Sequence, residues 1–349
     1  MVKPLEWMGI RDAGPSFVIA EVGVNHNGDM SVAFRLIEEA KRIGANCVKF
    51  QSFRADRVAT RGAPKAAYQM KVTDVAESQF DMLRALELSP AQHAELVACC
   101  RDNAIQFLST PYDLQDAEML ARIGVRGFKL ASIHLVELPY LRELVAFGLP
   151  IILSTGMATL AEVDVAVRTL REVGHDSFVV LQCTTNYPAR AADANLRAMV
   201  TMRDALGACV GYSDHTEGIA ATLASVALGA RVVEKHFTLD RAMPGPDHSC
   251  SSDPVEFEAL VRGIREVEAA LGTGVKLPSE AERANTPGMR RSIVSARDLA
   301  PGQTLRREDV AFKRPATGIA PARLDELLGR RVVEAVPADS PLQWRHLGH

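Results

Sequence analysis

The chain has 349 residues, of which 47% are hydrophobic and 24% are charged, a composition typical of globular proteins with a large core. Its 40 Lys and Arg residues nearly balance 43 Asp and Glu residues, which gives a formal net charge of -3. This balance argues against nucleic acid and membrane surfaces as partners, because both attract proteins through a positive field. The length exceeds that of one ordinary domain, so we expect a second one.

The cysteines and the apolar runs indicate the cellular compartment of the protein. Six cysteines are spread along the chain without a Cys-x-x-Cys pair, which is typical neither of a disulfide scaffold nor of a thiolate metal site. The opening residues MVKPLEWMGI lack the basic and apolar segments of a signal peptide. No apolar run approaches the roughly 18 residues of a transmembrane helix. We therefore expect a reduced, cytoplasmic protein.

Eight short apolar runs alternate with amphipathic segments over the first 240 residues. Such runs, rich in Val, Ile, Leu and Phe, predict strands that are buried on both faces of a parallel sheet. They are FVIAEVG at 17–23, NCVKFQS at 46–52, IQFLSTP at 105–111, GFKLAS at 127–132, PIILST at 150–155, FVVLQCTT at 178–185, CVGYSDH at 209–215 and VVEKHFT at 232–238. The segments between them predict helices, several of which end in a glycine suited to a helix C-cap.

Eight strand–helix units in succession predict a (β/α)8 TIM barrel. A doubly wound open sheet is the alternative, but no Gly-x-Gly-x-x-Gly follows the first strand to mark a dinucleotide site. The stretch GTGVKLPSEAERANTPGM lacks apolar periodicity and predicts a linker or long loop at about 272–288. The strand-like pieces RSIVSA, DVAFKRP and RRVVEAV and the helical segment ARLDELLG follow. We therefore assign residues 1–285 to the barrel domain and residues 289–349 to a small β-rich domain.

Polar side chains collect where the predicted strands end. In a barrel these ends share one face, so we expect a single polar pocket. Two lysines among hydroxyls are suited to a phosphate or carboxylate ligand: Lys49, Lys129, Thr110, Ser132, Ser154, Thr185 and Ser213. A single lysine at a strand end is as often salt-bridged as functional; two among hydroxyls favour anion binding.

A pair of histidines ends the seventh and eighth strands. His215 and His236, flanked by Asp214 and Glu234, are placed either to converge on one divalent metal with positions left for water and substrate, or to act as structural hydrogen-bonding residues. Mixed imidazole and oxygen ligation favours Mn²⁺, and the pattern places no cysteine close to the pair. Asp247, in the loop MPGPDHSCS after the last strand, is placed to close over the pocket.

The ordered segments resemble a known family. IAEVGVNHNGD, VKFQSF, LSTPYD, FKLAS, ILSTGMA, QCTTNYP, GYSDHT and VEKHFTLDRAMPGPDHSCS are similar, in order and spacing, to the sialic acid synthases and related nonulosonic acid synthases. RRSIVSARDLAPGQTL and KRPATGI resemble the small antifreeze-like (SAF) domain of the same enzymes. The resemblance implies a TIM barrel followed by a SAF domain. It also implies an enzyme that condenses phosphoenolpyruvate with an open-chain N-acylated mannosamine-type sugar and releases phosphate.

The resemblance also implies roles for the polar residues. His215 and His236 would bind Mn²⁺ or Mg²⁺, with Glu234 beside the metal, and Glu21 would position or deprotonate the attacking water. The lysines and hydroxyls above would hold phosphoenolpyruvate. The residues facing the sugar would be Gln51, Tyr187, Asp247 and Arg314. Arg314 would come from the SAF domain of the partner subunit in a domain-swapped homodimer.

The sugar itself is the open question at this point. N-acetylneuraminate synthase is the first expectation. The alternative is a legionaminic or pseudaminic acid synthase that uses a diacetamido-trideoxy hexose, and a non-catalytic sugar-binding barrel is the alternative from a different class. Many relatives have Ser-Gly-Glu where this chain has Ser132, Ile133 and His134, on the sugar side, and Ala316 replaces a glycine in the loop of Arg314.

Overall fold

The computed structural model describes residues 14–65, 69–71 and 77–348. Two compact units divide the chain, unit 1 over Met1–Gly272 and unit 2 over Thr273–His349. The predicted domain limits, 1–285 and 289–349, stay predictions. In the described part of the chain no helix combines the length and apolar character needed to cross a membrane.

Unit 1 is built on eight parallel strands. They are β1 Phe17–Gly23, β2 Cys47–Ser52, β3 Gln106–Pro111, β4 Phe128–Leu130, β5 Ile151–Ser154, β6 Phe178–Cys183, β7 Cys209–Asp214 and β8 Val232–His236. Their order is β3-β2-β1-β8-β7-β6-β5-β4, and the two outer strands β3 and β4 contact each other. The predicted (β/α)8 barrel is therefore confirmed.

Ten helices are described in unit 1. They are α1 Met30–Ile43, α2 Ala55–Val58, α3 Gln79–Ala85, α4 Pro90–Asp102, α5 Leu114–Arg122, α6 Leu138–Val145, α7 Leu160–Glu172, α8 Leu196–Leu206, α9 Ala220–Ala227 and α10 Pro254–Leu271. Helix α1 illustrates how the sequence sets their limits. Asp29 caps its first turn by accepting a hydrogen bond from the backbone of Ser31, and Gly44 ends it at a φ of 97°, a conformation that favours glycine.

The strands are buried on both faces because alternate side chains point into the barrel and out towards the helices. The outward set, with Val18 and Val48, belongs to the large core shared with the helices. The inward set forms a separate apolar cluster: Phe17, Ile19, Cys47, Leu108, Ile152, Val179, Leu181 and Val232. Two residues beyond the last member of this cluster on β1, β2, β3, β5 and β8, the inward positions become polar. This change marks the carboxyl end of the barrel as the place for a site.

Unit 2 contains α11 Glu280–Met289, β9 Ser292–Ser295, β10 Val310–Lys313 and α12 Leu324–Leu327. Strands β9 and β10 pair antiparallel, and a small apolar core lies beside them, with Ile293, Leu305 and Leu327 fully or almost fully buried. The predicted strand RRVVEAV forms only isolated bridges, such as Val332 with Leu347. A small β-rich unit is thus present, with less regular strand than the sequence predicted.

Helix α11 corrects the prediction of a linker or long loop at about 272–288, because the second half of this stretch is helical. Ser279 and Glu282 make a reciprocal capping box that begins the helix. Every residue of the helix except the half-buried Thr286 is exposed. A helix that is polar all round has no apolar period, so periodicity could not reveal it. The capping-box spacing was the available signal.

Candidate active site

A cavity of about 430 Å³ opens at the carboxyl ends of the barrel strands. It is lined by every predicted site residue of unit 1: Glu21, Lys49, Gln51, Thr110, Lys129, Ser132, Ser154, Thr185, Tyr187, Ser213, His215, Glu234, His236 and Asp247. Arg314 lies in unit 2, directly after β10, with its side chain exposed within that unit. The structure brings the predicted residues of unit 1 together, while the roles assigned to them stay predictions.

Two carboxylates and two lysines meet in the cavity. Lys49 Nζ lies 2.7 Å from Glu21 Oε2 and 3.9 Å from Glu234 Oε2, and Lys129 Nζ lies 3.3 Å from Glu234 Oε1. All four side chains are at most 6% exposed. Their formal charges cancel, which is required because an unpaired buried charge is strongly unfavourable. The lysines are held where an anionic ligand can share them.

The two carboxyl groups differ in pKa although both are buried. Burial raises the pKa of Glu21 to about 7 against the opposing effect of Lys49. Burial also disfavours the charged form of Glu234, but Lys129 and Lys49 outweigh it and lower that pKa to about 2. Glu234 therefore stays ionised, whereas Glu21 can exchange a proton near neutral pH. Environments that separate two pKa values in this way are typical of distinct roles in one site.

Hydroxyl groups surround the charged cluster. Lys129 Nζ donates to Ser154 Oγ at 2.7 Å, and Lys49 Nζ lies 3.3 Å from Thr110 Oγ1. Ser213 Oγ donates to Glu234 Oε1 at 2.9 Å. These contacts combine cations and hydroxyl donors within one buried volume, which suits a phosphate or carboxylate group.

Gly156 follows β5 at the point where two further hydroxyl groups meet. Its backbone N–H donates to Ser132 Oγ at 2.8 Å. A Cβ atom at this position would lie 2.1 Å from Thr185 Oγ1 and 2.8 Å from Ser132 Oγ. Glycine is therefore required here if both hydroxyl groups are to keep their places.

His215 and His236 lie side by side, with ring centroids 5.4 Å apart. His215 Nδ1 is 2.8 Å from the carbonyl oxygen of Thr184; because a carbonyl only accepts, Nδ1 carries a hydrogen and Nε2 is the nitrogen left for a ligand. Burial alone would lower the pKa of His215, but the nearby Cys183 outweighs burial and the pKa is raised. His236 Nδ1 is buried without a hydrogen-bond partner among the described residues, 4.0 Å from Asp247 Oδ2. Burial lowers the pKa of His236 and keeps it neutral.

These residues fit a divalent metal bound through two imidazole nitrogens, since a buried ring nitrogen without a hydrogen-bond partner among the described residues, such as His236 Nδ1, is suited to a metal ligand. In the described ranges no group of three or more His, Cys, Asp or Glu side chains has the arrangement of a metal site.

Two residues differ from what the sequence indicated near the histidines. Cys183 Sγ lies 3.9 Å from His215 Nδ1 and lines the cavity, although spacing along the chain placed no cysteine close to the pair. Asp214 points away from the cavity and pairs with Lys235 Nζ at 3.0 Å, with side chains at most 4% exposed. Strand alternation was the missed signal, because Asp214 and Lys235 precede the histidines and face the opposite side.

The pair of Asp214 and Lys235 ties the ends of β7 and β8 together. Lys235 Nζ also donates to the carbonyl oxygen of Thr216 at 2.7 Å, and Thr222 Oγ1 donates to Asp214 Oδ2 at 2.6 Å. Each member of the pair directly precedes one of the two histidines in the chain. The network therefore fixes the backbone from which both imidazoles project.

Two of the predicted sugar-facing residues, Tyr187 and Asp247, lie beside the same histidines. The ring of Tyr187 is 4.2 Å from that of His215. Asp247 is held in its loop by Ser251 Oγ, which donates to the Asp247 carbonyl oxygen at 2.6 Å, and Asn25 Nδ2 donates to that hydroxyl at 2.9 Å. Burial raises the pKa of the Asp247 carboxyl to about 6.

His134, at the position where the sequence departs from the family pattern, is 1% exposed and packs on Tyr112, with ring centroids 5.3 Å apart. Tyr112 lines the cavity, and His134 supports it from behind.

Comparisons with known proteins identify the family of the chain. The sequence matches the model of the NeuB family over residues 36–276 and that of the SAF domain over residues 290–348. An N,N'-diacetyllegionaminic acid synthase of Legionella pneumophila is 43% identical over 97% of this chain and 97% of its own. An N-acetylneuraminate-9-phosphate synthase of Mus musculus is 34% identical over 96% of this chain and 93% of its own.

A solved structure is also similar. The N-acetylneuraminic acid synthetase of Leptospira borgpetersenii, in complex with citrate, has a TM-score of 0.69 and 32% identity over 78% of this chain and 90% of that chain. The resemblance predicted from the sequence motifs is confirmed: the chain belongs to the NeuB family of sialic acid synthases and carries a SAF domain in unit 2.

Proposed function

We propose that the protein condenses phosphoenolpyruvate with the open-chain aldehyde of a diacetamido-trideoxy hexose, giving a legionaminic-type nonulosonic acid and phosphate. The observation that carries the choice of sugar is the greater similarity to the Legionella enzyme than to the mouse enzyme. This choice is the alternative reached from the sequence, and it replaces N-acetylneuraminate synthase as the leading interpretation.

The charged cluster suits the anionic substrate. Lys49 and Lys129, with the surrounding hydroxyls, would hold the phosphate and carboxylate groups of phosphoenolpyruvate by charge-assisted hydrogen bonds. In the structure each lysine is paired with a carboxylate. Binding of phosphoenolpyruvate would therefore replace contacts of the lysines with these carboxylates by contacts with the anionic groups of the substrate. Glu234 stays ionised and keeps the lysines in place. Preplaced charges of this kind stabilise a phosphate leaving group without reorganisation.

The reaction balances without an external oxidant or reductant. Carbon 3 of phosphoenolpyruvate bonds to the aldehyde carbon, water adds to carbon 2, and phosphate leaves as the carbon 2–oxygen bond breaks. Glu21, with a pKa raised to about 7, is suited to orient the water and accept its proton. A divalent ion held by His215 and His236, Mn²⁺ or Mg²⁺, would supply Lewis-acid polarisation of the aldehyde oxygen.

The sugar would be positioned by Gln51, Tyr187 and Asp247, which line the cavity. We also propose that the protein works as a homodimer in which Arg314 of one subunit contacts the N-acyl group in the cavity of the other. The exposed side chain of Arg314 within unit 2 supports this proposal. Arg314→Ala should then raise the KM for the sugar more than it changes the KM for phosphoenolpyruvate.

The test is phosphate release from phosphoenolpyruvate with Mn²⁺ and a panel of sugars. We expect release to be fastest with the diacetamido-trideoxy mannose. Faster release with N-acetylmannosamine would favour the neuraminate synthase, and faster release with the altrose isomer a pseudaminic acid synthase. If no sugar supports release, the enzyme interpretation is wrong and the non-catalytic sugar-binding barrel takes its place.

A further inference from the structure

One side of the cavity is apolar, in contrast to the charged cluster. It is formed by side chains of the loop after β1, of α2, of α3 and of the residue that follows α3: Val24, Val58, Met82, Leu83 and Leu86. We call these five residues the apolar wall. Val24, Met82 and Leu86 pack with Phe53 in a small cluster separate from the barrel core, and Val58 and Leu83 lie against it, half-buried.

Tyr112 connects the apolar wall to Gln51, one of the predicted sugar-facing residues. Tyr112 packs its ring against Phe53 of the same small cluster, with centroids 5.6 Å apart. Its hydroxyl lies 3.3 Å from Gln51 Oε1, and Gln51 Nε2 lies 3.4 Å from Glu21 Oε1. A continuous series of contacts therefore leads from the reacting end of the cavity, through a predicted sugar-facing amide, to the wall.

A sugar that carries only hydroxyl groups gains little from such a surface. A hydroxyl pressed against Val58 and Leu83 would lose its water without finding a partner, which is unfavourable. A methyl group in the same place gains the transfer free energy of its apolar area. A surface of this kind favours a sugar that carries a methyl group at the point of contact over one that carries a hydroxyl group there.

We propose that the apolar wall, chiefly through Val58 and Leu83, is a specificity surface that contacts a methyl group of the sugar. This inference rests on the proposed function and deepens it. Two methyl groups of the sugar have the chemistry that fits the wall: the methyl carbon of a 6-deoxy sugar and the methyl of the acetamido group at carbon 4. The wall would favour either over a hydroxymethyl or formamido group.

The experiment compares three sugars with wild type and with the double variant Val58→Thr, Leu83→Asn, whose new side chains are close in size to the old ones. The sugars are the diacetamido-trideoxy mannose, its 6-hydroxy analogue and its 4-formamido analogue. In wild type we expect kcat/KM to be about tenfold higher for the first sugar than for the analogue that lacks the recognised methyl. In the double variant this ratio should fall towards one, with the KM for phosphoenolpyruvate unchanged.

The matched control is Val173→Thr, Leu228→Asn. These residues are 43% and 37% exposed and do not line the cavity, so all ratios should stay at their wild-type values. Loss of preference against the 6-hydroxy analogue identifies the 6-deoxy methyl as the contact. Loss against the 4-formamido analogue identifies the acetamido methyl.

Equal changes of kcat/KM with all three sugars, or unchanged ratios, would overturn the specificity role and leave the wall as packing alone. Phosphate release by wild type measured beforehand separates the two proposals. If wild type releases no phosphate with any of the three sugars, the proposed function fails, and the inference fails with it. If wild type is active but the kcat/KM ratios between the sugars are unchanged in the double variant, the proposed function stands and only the inference is wrong.

Discussion

Two layers of the barrel interior lie two residues apart on the same strands and differ in what they contribute. Ile19 and Leu108, fully buried, belong to the apolar layer. Glu21 and Thr110, at the next inward positions of β1 and β3, belong to the polar layer that lines the cavity. Burial of an apolar side chain stabilises the fold by about 1.5–3 kcal/mol, whereas burial of a charge costs free energy unless it is paired.

The comparison shows how one strand can contribute one residue to the stability of the fold and another to the candidate site. Because inward side chains repeat every second residue, a strand needs only one further inward position to reach from the core into the cavity. Substitutions in the polar layer should therefore reduce turnover and substitutions in the apolar layer should reduce stability. Three variants test whether this separation holds.

The largest effect is expected for His236→Ala in the polar layer. Loss of one of the two candidate metal ligands should lower turnover by about a thousandfold or more, because metal polarisation of a carbonyl is worth several kcal/mol. Phosphate release measures turnover, and electron paramagnetic resonance of added Mn²⁺ measures binding directly. His175→Ala, which replaces a buried histidine outside the cavity, is the control. Near-wild-type Mn²⁺ binding by His236→Ala would refute the metal assignment.

A smaller loss, about a hundred- to a thousandfold, is expected for Glu21→Gln. The amide keeps the shape of the side chain and cannot accept a proton. Because burial raises the pKa of Glu21 to about 7, wild-type kcat should fall as the pH drops below about 7, where the carboxyl becomes protonated. The variant should lack this acid limb. A pH–rate profile with the same limb in both proteins would assign the proton transfer to another group.

The apolar layer should respond in the opposite way. Leu108→Ala removes a fully buried side chain and should lower the free energy of unfolding by about 3 kcal/mol. We expect kcat at 20 °C to stay within about twofold of wild type, provided that the protein is folded. Leu160→Ala, at a position 42% exposed, should change stability by less than about 0.5 kcal/mol. Denaturant unfolding measures the stability and phosphate release measures kcat on the same samples. A large fall in kcat for Leu108→Ala would contradict the separation of the two layers.

Much of the barrel was predictable because its strands are buried on both faces. The predicted run 17–23 coincides with β1, and the other seven runs lie within two residues of the strands that form. The residues lining the cavity followed from the same pattern, since parallel strands bring their carboxyl ends to one face. Lys49 and Lys129, distant in the chain, share Glu234 for this reason.

The features that were missed depend on contacts between strands or on segments without a period. Nothing in the spacing of Cys183 along the chain shows that β6 and β7 bring its sulfur to His215. The apolar wall comes from residues such as Val58 and Leu83 in two short helices, too brief for an amphipathic pattern to be read. Only the folded barrel shows that these side chains face the cavity.

Gly156 links three positions of the sequence. Any larger residue at 156 would displace the hydroxyl groups of Ser132 and Thr185, which belong to different strand ends. An evolutionary step at 156 is therefore open only to a chain that has first given up one or both hydroxyls. As related chains diverge, Gly156 should change only where Ser132 or Thr185 has also changed, although each lies in a separate segment of the sequence.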